Sequence, residues 1–210
     1  MSGNKSVING EIFLHSLREV SAMPNEIVLL TGEAEVPHLT TVMQEHNADL
    51  TVTPVLSAAA LEQACQNPMP DGGRRLIAYC TSIIVPGDIL AAMDGPSYNF
   101  HPGPPAYPGV YPANFAVYDG ALQFGVTAHV MAEQVDEGAI VGVELFDIPS
   151  DTSVNTLEIK AYLALFELFK SLCPQLVTVA TPLMELDISW GSRKTTSQEY
   201  EELKQLNNFL

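Results

Sequence analysis

The sequence is poor in basic residues. Its 210 residues include 9 lysines and arginines against 25 aspartates and glutamates, which gives a formal net charge of −16. Nucleic-acid binding needs clustered Lys and Arg to neutralise phosphates, so this composition argues against a nucleic-acid partner. The deficit is also local, because residues 76–159 contain no Lys or Arg. The same stretch carries ten acidic residues, namely Asp88, Asp94, Asp119, Glu133, Asp136, Glu137, Glu144, Asp147, Asp151 and Glu158.

The sequence also lacks the signals of membrane proteins and of disulfide-stabilised proteins. No apolar run approaches the ~20 residues needed to span a bilayer, and residues 1–25 have no basic start followed by a continuous apolar core. We therefore expect a cytoplasmic protein with no membrane partner. Cys65, Cys80 and Cys173 cannot all pair and lack metal-ligand spacing, so we expect neither a disulfide framework nor a metal site.

The first half of the chain alternates between predicted strands and helices. Residues 26–32, 50–56 and 75–80 are short apolar or β-branched runs typical of buried strands, while residues 36–46 and 58–66 have helical patterns. This β-α-β-α-β succession implies a parallel sheet with right-handed crossovers and helices on its faces. The sequence thus predicts an α/β fold built on a mostly parallel sheet with helices on both faces.

The second half changes in character. A helix is predicted over residues 86–93 and a strand over residues 97–100. Five prolines then fall between residues 102 and 112, which predicts a stiff, irregular loop in place of a helix or a central strand. Two β-rich runs follow, over residues 124–131 and 139–148, and we expect them to be antiparallel neighbours.

The C-terminal part is predicted to be helical at two places. Apolar residues are dense from Thr156 to Leu172, which predicts a long, mostly buried helix that ends before Pro174. Thr196 and Glu199 have the spacing of a capping box, which opens a final polar helix.

We assign one catalytic domain over residues 26–182, with an N-terminal extension over residues 1–25 and a C-terminal tail with a short helix over residues 183–210. The extension has helical spacing of apolar residues and is predicted to form an amphipathic helix. Such a helix would either cap the sheet, which we favour, or contact a second copy of the chain, so a homo-oligomer stays open. The apolar positions are Phe13, Leu14, Leu17 and Val20.

Asn99 and His101 are the first candidates for chemistry. They are two residues apart at the end of a predicted strand, so their side chains point the same way. Ligands of open α/β sheets bind at the carboxyl ends of strands, where this pair lies. A lone histidine in such a motif is nevertheless more often a hydrogen-bonded bystander than a catalyst.

The motifs around this pair resemble the formyltransferases that use 10-formyltetrahydrofolate, a family that includes glycinamide ribonucleotide, methionyl-tRNA and sugar amine formyltransferases. The match is specific because several elements occur in one order over residues 99–138, and it extends over roughly residues 26–165. It implies the family's Rossmann-like formyltransferase fold. The elements are Asn99-Phe100-His101-Pro102, Tyr107-Pro108-Gly109, Gly120, Gly125-Val126-Thr127-Ala128-His129 and Asp136-Glu137-Gly138.

The resemblance implies a catalytic trio of Asn99, His101 and Asp136. Formyl transfer to an amine passes through a tetrahedral intermediate, for which the Asn99 amide is an oxyanion donor and His101 a proton carrier held by Asp136. Two further residues, Thr127 and His129, are expected either to position substrate or water or simply to pack. The resemblance also implies binding positions for 10-formyltetrahydrofolate or substrate at Ser82, Ile83, Ile84, Gly103, Tyr107, Glu133 and Val135, and no metal.

The positions where the sequence departs from the family's pattern reduce the range of possible acceptor substrates. The turn over residues 31–35 carries Glu33 and Glu35, and two carboxylates there would repel the phosphate that the glycinamide ribonucleotide enzyme binds. The chain also has too few residues after Thr156 for the additional barrel of the transfer-RNA enzyme. We therefore predict a small-molecule amine, an amino sugar or another amine, as the acceptor. Hydrolysis, as in formyltetrahydrofolate deformylases, is the alternative, and a non-catalytic folate-binding module is a third.

The acidic surface raises the question of where the anionic glutamyl tail of folate would lie. We expect the tail to project into solvent or toward one of the few cations. The candidates are Arg74, Arg75, Arg193 and Lys194.

Overall fold

A computed structural model describes residues 23–66 and 72–207. Within these residues, six strands form one sheet in the order β2-β1-β3-β4-β5-β6. The first four strands in this order are parallel, and β5 is antiparallel to both β4 and β6. The strands are β1 Glu26–Leu30, β2 Thr51–Val55, β3 Arg74–Tyr79, β4 Tyr98–His101, β5 Gln123–Val130 and β6 Ile140–Asp147. The helices are α1 Val36–His46, α2 Ala58–Cys65, α3 Gly87–Ala91, α4 Pro112–Tyr118, α5 Val154–Thr178 and α6 Ser197–Asn207.

Both faces of the sheet are covered by helices. In β1, Ile27 and Leu29 belong to the core that the sheet shares with α1 and α5. The alternate residues Val28 and Leu30 belong to a second core on the α2 and α3 side. Strands buried on both faces read as continuous apolar runs, which is why the sequence pattern located them. The predicted α/β fold and the antiparallel pairing of residues 124–131 with 139–148 are confirmed.

The prediction that the long helix ends before Pro174 is wrong. Helix α5 starts after Ser153, whose hydroxyl accepts the Thr156 N–H at 3.2 Å, and it continues through Pro174 to Thr178. Proline removes one helical N–H, but Cys173, Leu176 and Val177 beside it are fully buried. Tertiary packing therefore overrides the local cost of the proline.

The end of α5 is capped by side chains from other elements. The Arg75 guanidinium donates to the Leu176 carbonyl at 2.9 Å and to the Ala180 carbonyl at 2.6 Å. The Asn47 amide donates to the Val177 carbonyl at 2.9 Å. These donors satisfy carbonyls that have no partner within the helix, so they stabilise its last turn.

Helix α4 was not predicted from the sequence. It begins at Pro112, the last proline of the predicted loop, and it buries Ala113, Phe115 and Ala116. Proline fits the first turn of a helix because no backbone N–H is required there. The preceding residues, 102–111, form the irregular loop that the prolines predict.

The segment over residues 188–196, here called the C-terminal strap, lies against the proline-rich loop. Gly191 N–H donates to the Pro105 carbonyl at 2.8 Å, and Thr195 N–H donates to the Pro108 carbonyl at 2.9 Å. The predicted capping box follows: the Glu199 carboxylate accepts the Thr196 N–H at 2.8 Å, and the Thr196 hydroxyl accepts the Glu199 N–H at 3.2 Å. The strap thereby ties the tail to the loop.

The predicted amphipathic helix at Phe13 to Val20 lies outside the described residues, and the division of the chain at residues 25 and 182 stays a prediction. Of the helices in residues 23–66 and 72–207, none combines the length and the apolar composition that crossing a membrane requires.

Candidate active site

The pairing of β4 with β5 places four polar side chains at one end of the sheet. Asn99 lies opposite His129, and His101 lies opposite Thr127. Directly opposed residues of antiparallel strands share a face, as do residues two apart on one strand. The register therefore gathers one amide, two imidazoles and one hydroxyl on the same face, at the carboxyl end of β4.

Asp136 reaches this group from the loop between β5 and β6. Its backbone has φ 51°, a left-handed conformation that aspartate tolerates better than most residues. Its Oδ2 accepts the Gly109 N–H at 2.7 Å and lies 3.7 Å from His101 Nδ1, while its Oδ1 lies 3.2 Å from His129 Nε2. The structure thus brings together the predicted trio of Asn99, His101 and Asp136.

The partners of His129 indicate the tautomer of its neutral ring. Its Nδ1 lies 2.9 Å from the Val130 carbonyl, and because a carbonyl can only accept, Nδ1 carries a proton. In the neutral ring Nε2 then accepts from the Asn99 amide nitrogen at 3.0 Å. An amide nitrogen has two N–H donors, so the second N–H of Asn99 stays available at a half-buried position.

A second proton on His129 would change its partner. Asp136 Oδ1 is buried and has no hydrogen-bond partner when Nε2 of His129 is bare. A protonated Nε2 could donate to that oxygen, 3.2 Å away, and would no longer accept from Asn99. The orientation of the Asn99 amide is therefore coupled to the charge of His129.

His101 is held as a neutral imidazole. Its Nε2 lies 3.0 Å from the Tyr107 carbonyl, so Nε2–H donates and the bare Nδ1 faces Asp136. Burial lowers the pKa of His101, since its side chain is only 5 % exposed, and the opposing effects of Asp136 and the Tyr107 carbonyl do not restore it. At neutral pH Nδ1 of His101 is therefore bare, and it can act as a proton acceptor.

Asp136 is held as a carboxylate. Burial alone would raise the pKa of Asp136, but the hydrogen bond that a proton on Nε2 of His129 would make, the charge that His101 can carry and the Gly109 N–H together hold it below its ordinary value. A buried anion next to a bare imidazole nitrogen favours the imidazolium once a proton arrives.

Three of the predicted binding residues support His101 in this structure. The hydroxyl of Thr127, which is fully buried, donates to the Gly103 carbonyl at 2.8 Å. The Tyr107 carbonyl is the partner of His101, and the Tyr107 ring packs near Phe124. These contacts hold the proline-rich loop against the two strands. A role for Thr127 and His129 in positioning substrate or water stays a prediction.

Gly103 allows a close approach that a larger residue would prevent. A Cβ on Gly103 would lie 2.5 Å from His101 Nε2 and 2.7 Å from the Pro112 Cβ. Gly103→Ala is therefore expected to displace His101 and to lower turnover by at least about tenfold. Gly87→Ala is the matched control, because its Cβ would have no neighbour closer than 3.9 Å. Steady-state kinetics of the two variants check this, and equal turnover would show that the close approach does not matter.

The residues predicted to hold folate lie on two loops. Ser82, Ile83 and Ile84 follow β3, and Ile84 is 69 % exposed. Glu133 and Val135 lie between β5 and β6, and the Glu133 side chain approaches Gly87 at the start of α3. Glu133 thus lies close to the end of the loop that carries Ser82, Ile83 and Ile84, and the role of these residues in folate binding stays a prediction.

The structure excludes two of the four cationic residues proposed as partners of the folate tail. Arg74 pairs with Glu26 at 2.6 Å and Arg75 caps α5, and both lie at the start of β3, away from the end where Asn99 and His101 lie. The expectation that either could receive the tail is wrong. Lys194 is better placed, because its Nζ lies 2.8 Å from the carboxylate of Glu137, next to Asp136.

Sequence reasoning also missed Trp190. The Trp190 ring makes edge contacts with the rings of His129 and His101, with centroids 5.0 Å and 5.9 Å apart. No motif or spacing links a tail tryptophan to a site 50 or more positions earlier, so only the fold reveals this contact. Among residues 23–66 and 72–207, no group of three or more His, Cys, Asp or Glu side chains is arranged to hold a metal ion.

A known protein family matches the segment of the chain that contains the candidate site. The sequence model of the family described as formyl transferase matches residues 75–164, which include every member of the trio. Residues 75–164 belong to the formyl transferase family. This match confirms the family and the enzyme class, formyltransferase, that the motifs predicted.

Solved structures share the fold well beyond the formyl transferase segment. A sugar N-formyltransferase from a Shewanella species superposes with a TM-score of 0.68 at 17% identity, covering 85% of this chain and 79% of that one. An N-formyltransferase from Helicobacter canadensis, in complex with folinic acid and dTDP-3-aminofucose, gives 0.64 at 15% identity, with 84% and 72% covered. A formyltransferase from Anoxybacillus kamchatkensis, in complex with UDP-4,6-dideoxy-4-formamido-L-AltNAc and tetrahydrofolate, gives 0.64 at 17% identity, with 88% and 93% covered. At these identities the likeness shows the formyltransferase fold.

Proposed function

We propose that the protein transfers the formyl group of 10-formyltetrahydrofolate to the amino group of a small molecule, with amino sugars as the first class to test. The observation that carries this proposal is the cluster that half-buried Asn99 forms with buried His101, His129 and Asp136 inside the formyl transferase segment. The solved neighbours support the choice of substrates, because two of them hold a reduced folate together with an amino sugar or its formylated product. Their names as N-formyltransferases do not favour hydrolysis.

The geometry supports a route for the proton and for the negative charge. The acceptor amine attacks the formyl carbon, a new C–N bond forms, and the oxygen becomes an oxyanion. The N–H of Asn99 that His129 does not use donates to this oxyanion. His101 Nδ1 takes the proton that the amine loses and returns it to N10 of the folate as the bond from N10 to the formyl carbon breaks. Asp136 stabilises the imidazolium between the two steps.

The charges around the site bear on the acceptor. Glu35 immediately precedes α1, and its carboxylate accepts the Tyr162 hydroxyl at 3.3 Å. A helix N-terminus that already carries a carboxylate is a poor phosphate site. The neighbours' nucleotide sugars bear phosphates, and among the residues that the structure describes Lys194 of the strap is a cation near the site, paired with Glu137. Free amino sugars and nucleotide-linked amino sugars are therefore separate arms of the test.

The deciding experiment follows tetrahydrofolate release from 10-formyltetrahydrofolate. The acceptor panel contains dTDP- and UDP-linked amino sugars, free amino sugars, diamines, amino acids and a sample without amine. Tetrahydrofolate release that depends on an amine, with a formamide product found by mass spectrometry, is the expected result. Release at the same rate without amine would assign a hydrolase. Failure to bind 5-formyltetrahydrofolate in calorimetry would contradict both activities.

A further inference from the structure

Trp190 lies outside the segment that matches the formyl transferase family, yet it contacts two of the imidazoles in the candidate site. Its ring is perpendicular to His129 and nearly so to His101, with interplanar angles of 90° and 72°. Its Nε1–H donates to the Gly138 carbonyl at 2.9 Å, two residues after Asp136. One side chain of the strap therefore contacts both histidines and the turn that carries the aspartate.

We propose that Trp190 is a positioning residue, whose indole ring keeps water from His101 and His129 and whose N–H fixes the turn that holds Asp136. The link to catalysis rests on the proposed function, since it assumes that these groups act in formyl transfer. Trp190 would act through them and need not touch the substrate.

The first part of the argument is burial. The side chains of His101 and His129 are 5 % and 3 % exposed, and the half-buried indole is the aromatic surface packed against both. The ionisable groups that face His101 are Asp136, which favours its charged form, and His129, which disfavours it. An uncharged cover adds a desolvation cost to the charged form. Removing the indole would admit water and let the pKa of His101 rise toward its ordinary value of about 6.5.

The second part is the turn after Asp136. A Cβ on Gly138 would overlap the Val130 carbonyl, so this turn is packed tightly against the end of β5. The hydrogen bond from Trp190 to the Gly138 carbonyl holds the same residue from the side of the strap. The strap that carries Trp190 is itself bonded to Pro105 and Pro108, next to the Gly109 N–H that binds Asp136. Asp136 is thereby held by its own loop between β5 and β6 and by the proline-rich loop.

The test compares three variants. Trp190→Leu removes the ring and the N–H, and Trp190→Phe keeps a ring but removes the N–H. Tyr200→Leu is the matched control, because Tyr200 anchors the same C-terminal region by stacking on Tyr111 at 3.8 Å but contacts neither histidine. The measurements are histidine titration by NMR, melting temperature and the pH dependence of kcat.

Trp190→Leu is expected to raise the titration midpoint of His101 by up to about one pH unit and to move the acid limb of kcat to higher pH by the same amount. Trp190→Phe is expected to leave the midpoint in place and to lower kcat severalfold through the freed turn. Tyr200→Leu is expected to lower the melting temperature alone.

Two results would overturn the proposal. One is a His101 midpoint in Trp190→Leu that equals the value in Tyr200→Leu, because the tryptophan would then be merely structural. The other is a kcat of Trp190→Phe equal to that of the wild-type protein. This second result decides the question if Trp190→Leu does not fold. The NMR titration needs no substrate, so it tests the cover even if the wild-type protein transfers no formyl group, a result that would contradict only the proposed function.

Discussion

Asn99→Ala is expected to lower kcat for formyl transfer by about 100- to 1000-fold, the usual effect of removing one oxyanion donor. The Asn99 amide donates one N–H to His129 and has a second one free for the developing negative charge. Alanine offers neither, and no other side-chain amide was found in hydrogen-bond contact with the imidazoles among the described residues. Steady-state kinetics at saturating folate and acceptor measure the loss.

Folding must be separated from chemistry in this variant. The lost hydrogen bond leaves His129 Nε2 without its donor, which is expected to cost about 1 kcal/mol of unfolding free energy. Asn47→Ala is the matched control, because its amide donates to the Val177 and Pro24 carbonyls at 2.9 Å and 3.3 Å, far along the chain from the trio. Similar urea stability in both variants, with turnover lost only in Asn99→Ala, is the expected pair of results. Full activity of Asn99→Ala would refute its role as the oxyanion donor.

Much of the fold could be predicted because the central strands β1 and β3 are buried on both faces. A run such as residues 26–30 has no polar side chain in its interior, and such runs separated by helical patterns imply a parallel sheet. The two corrections concern places where local rules compete with packing. Helix α4 has only 7 residues and therefore no periodic pattern, and α5 passes Pro174 because the buried residues around that proline outweigh one missing hydrogen bond.

The candidate site also contains some residues that could be predicted from the sequence and others that could not. Asn99 and His101 could be paired from their spacing on one strand, whereas Asp136 needed the family motif, since its approach depends on a left-handed backbone and on the Gly109 N–H. Trp190 could not be found from sequence. Its place depends on backbone hydrogen bonds between the strap and Pro105 and Pro108, and backbone groups leave no signature in side-chain identity.

Asp136→Asn is expected to lower kcat by about 100- to 10,000-fold, the range that a positioned acid–base group contributes. Asparagine has the same shape, tolerates the left-handed backbone at this position and can still accept the Gly109 N–H. What is lost is the negative charge 3.7 Å from His101 Nδ1 and 3.2 Å from His129 Nε2. The imidazolium of the proposed proton transfer then has no counter-charge.

The pH dependence of activity in Asp136→Asn is expected to shift in a defined direction. Asp136 raises the pKa of His101 against the larger lowering by burial, so its neutralisation should lower that pKa further. Activity requires neutral His101 and declines as the pH falls through its pKa, so the acid limb of Asp136→Asn should move to lower pH while the plateau falls. Asp151→Asn is the matched control, since it makes the same change at an exposed residue with φ 63°. A limb that moved to higher pH would show that Asp136 does not act through His101, because removing an anion cannot favour the imidazolium.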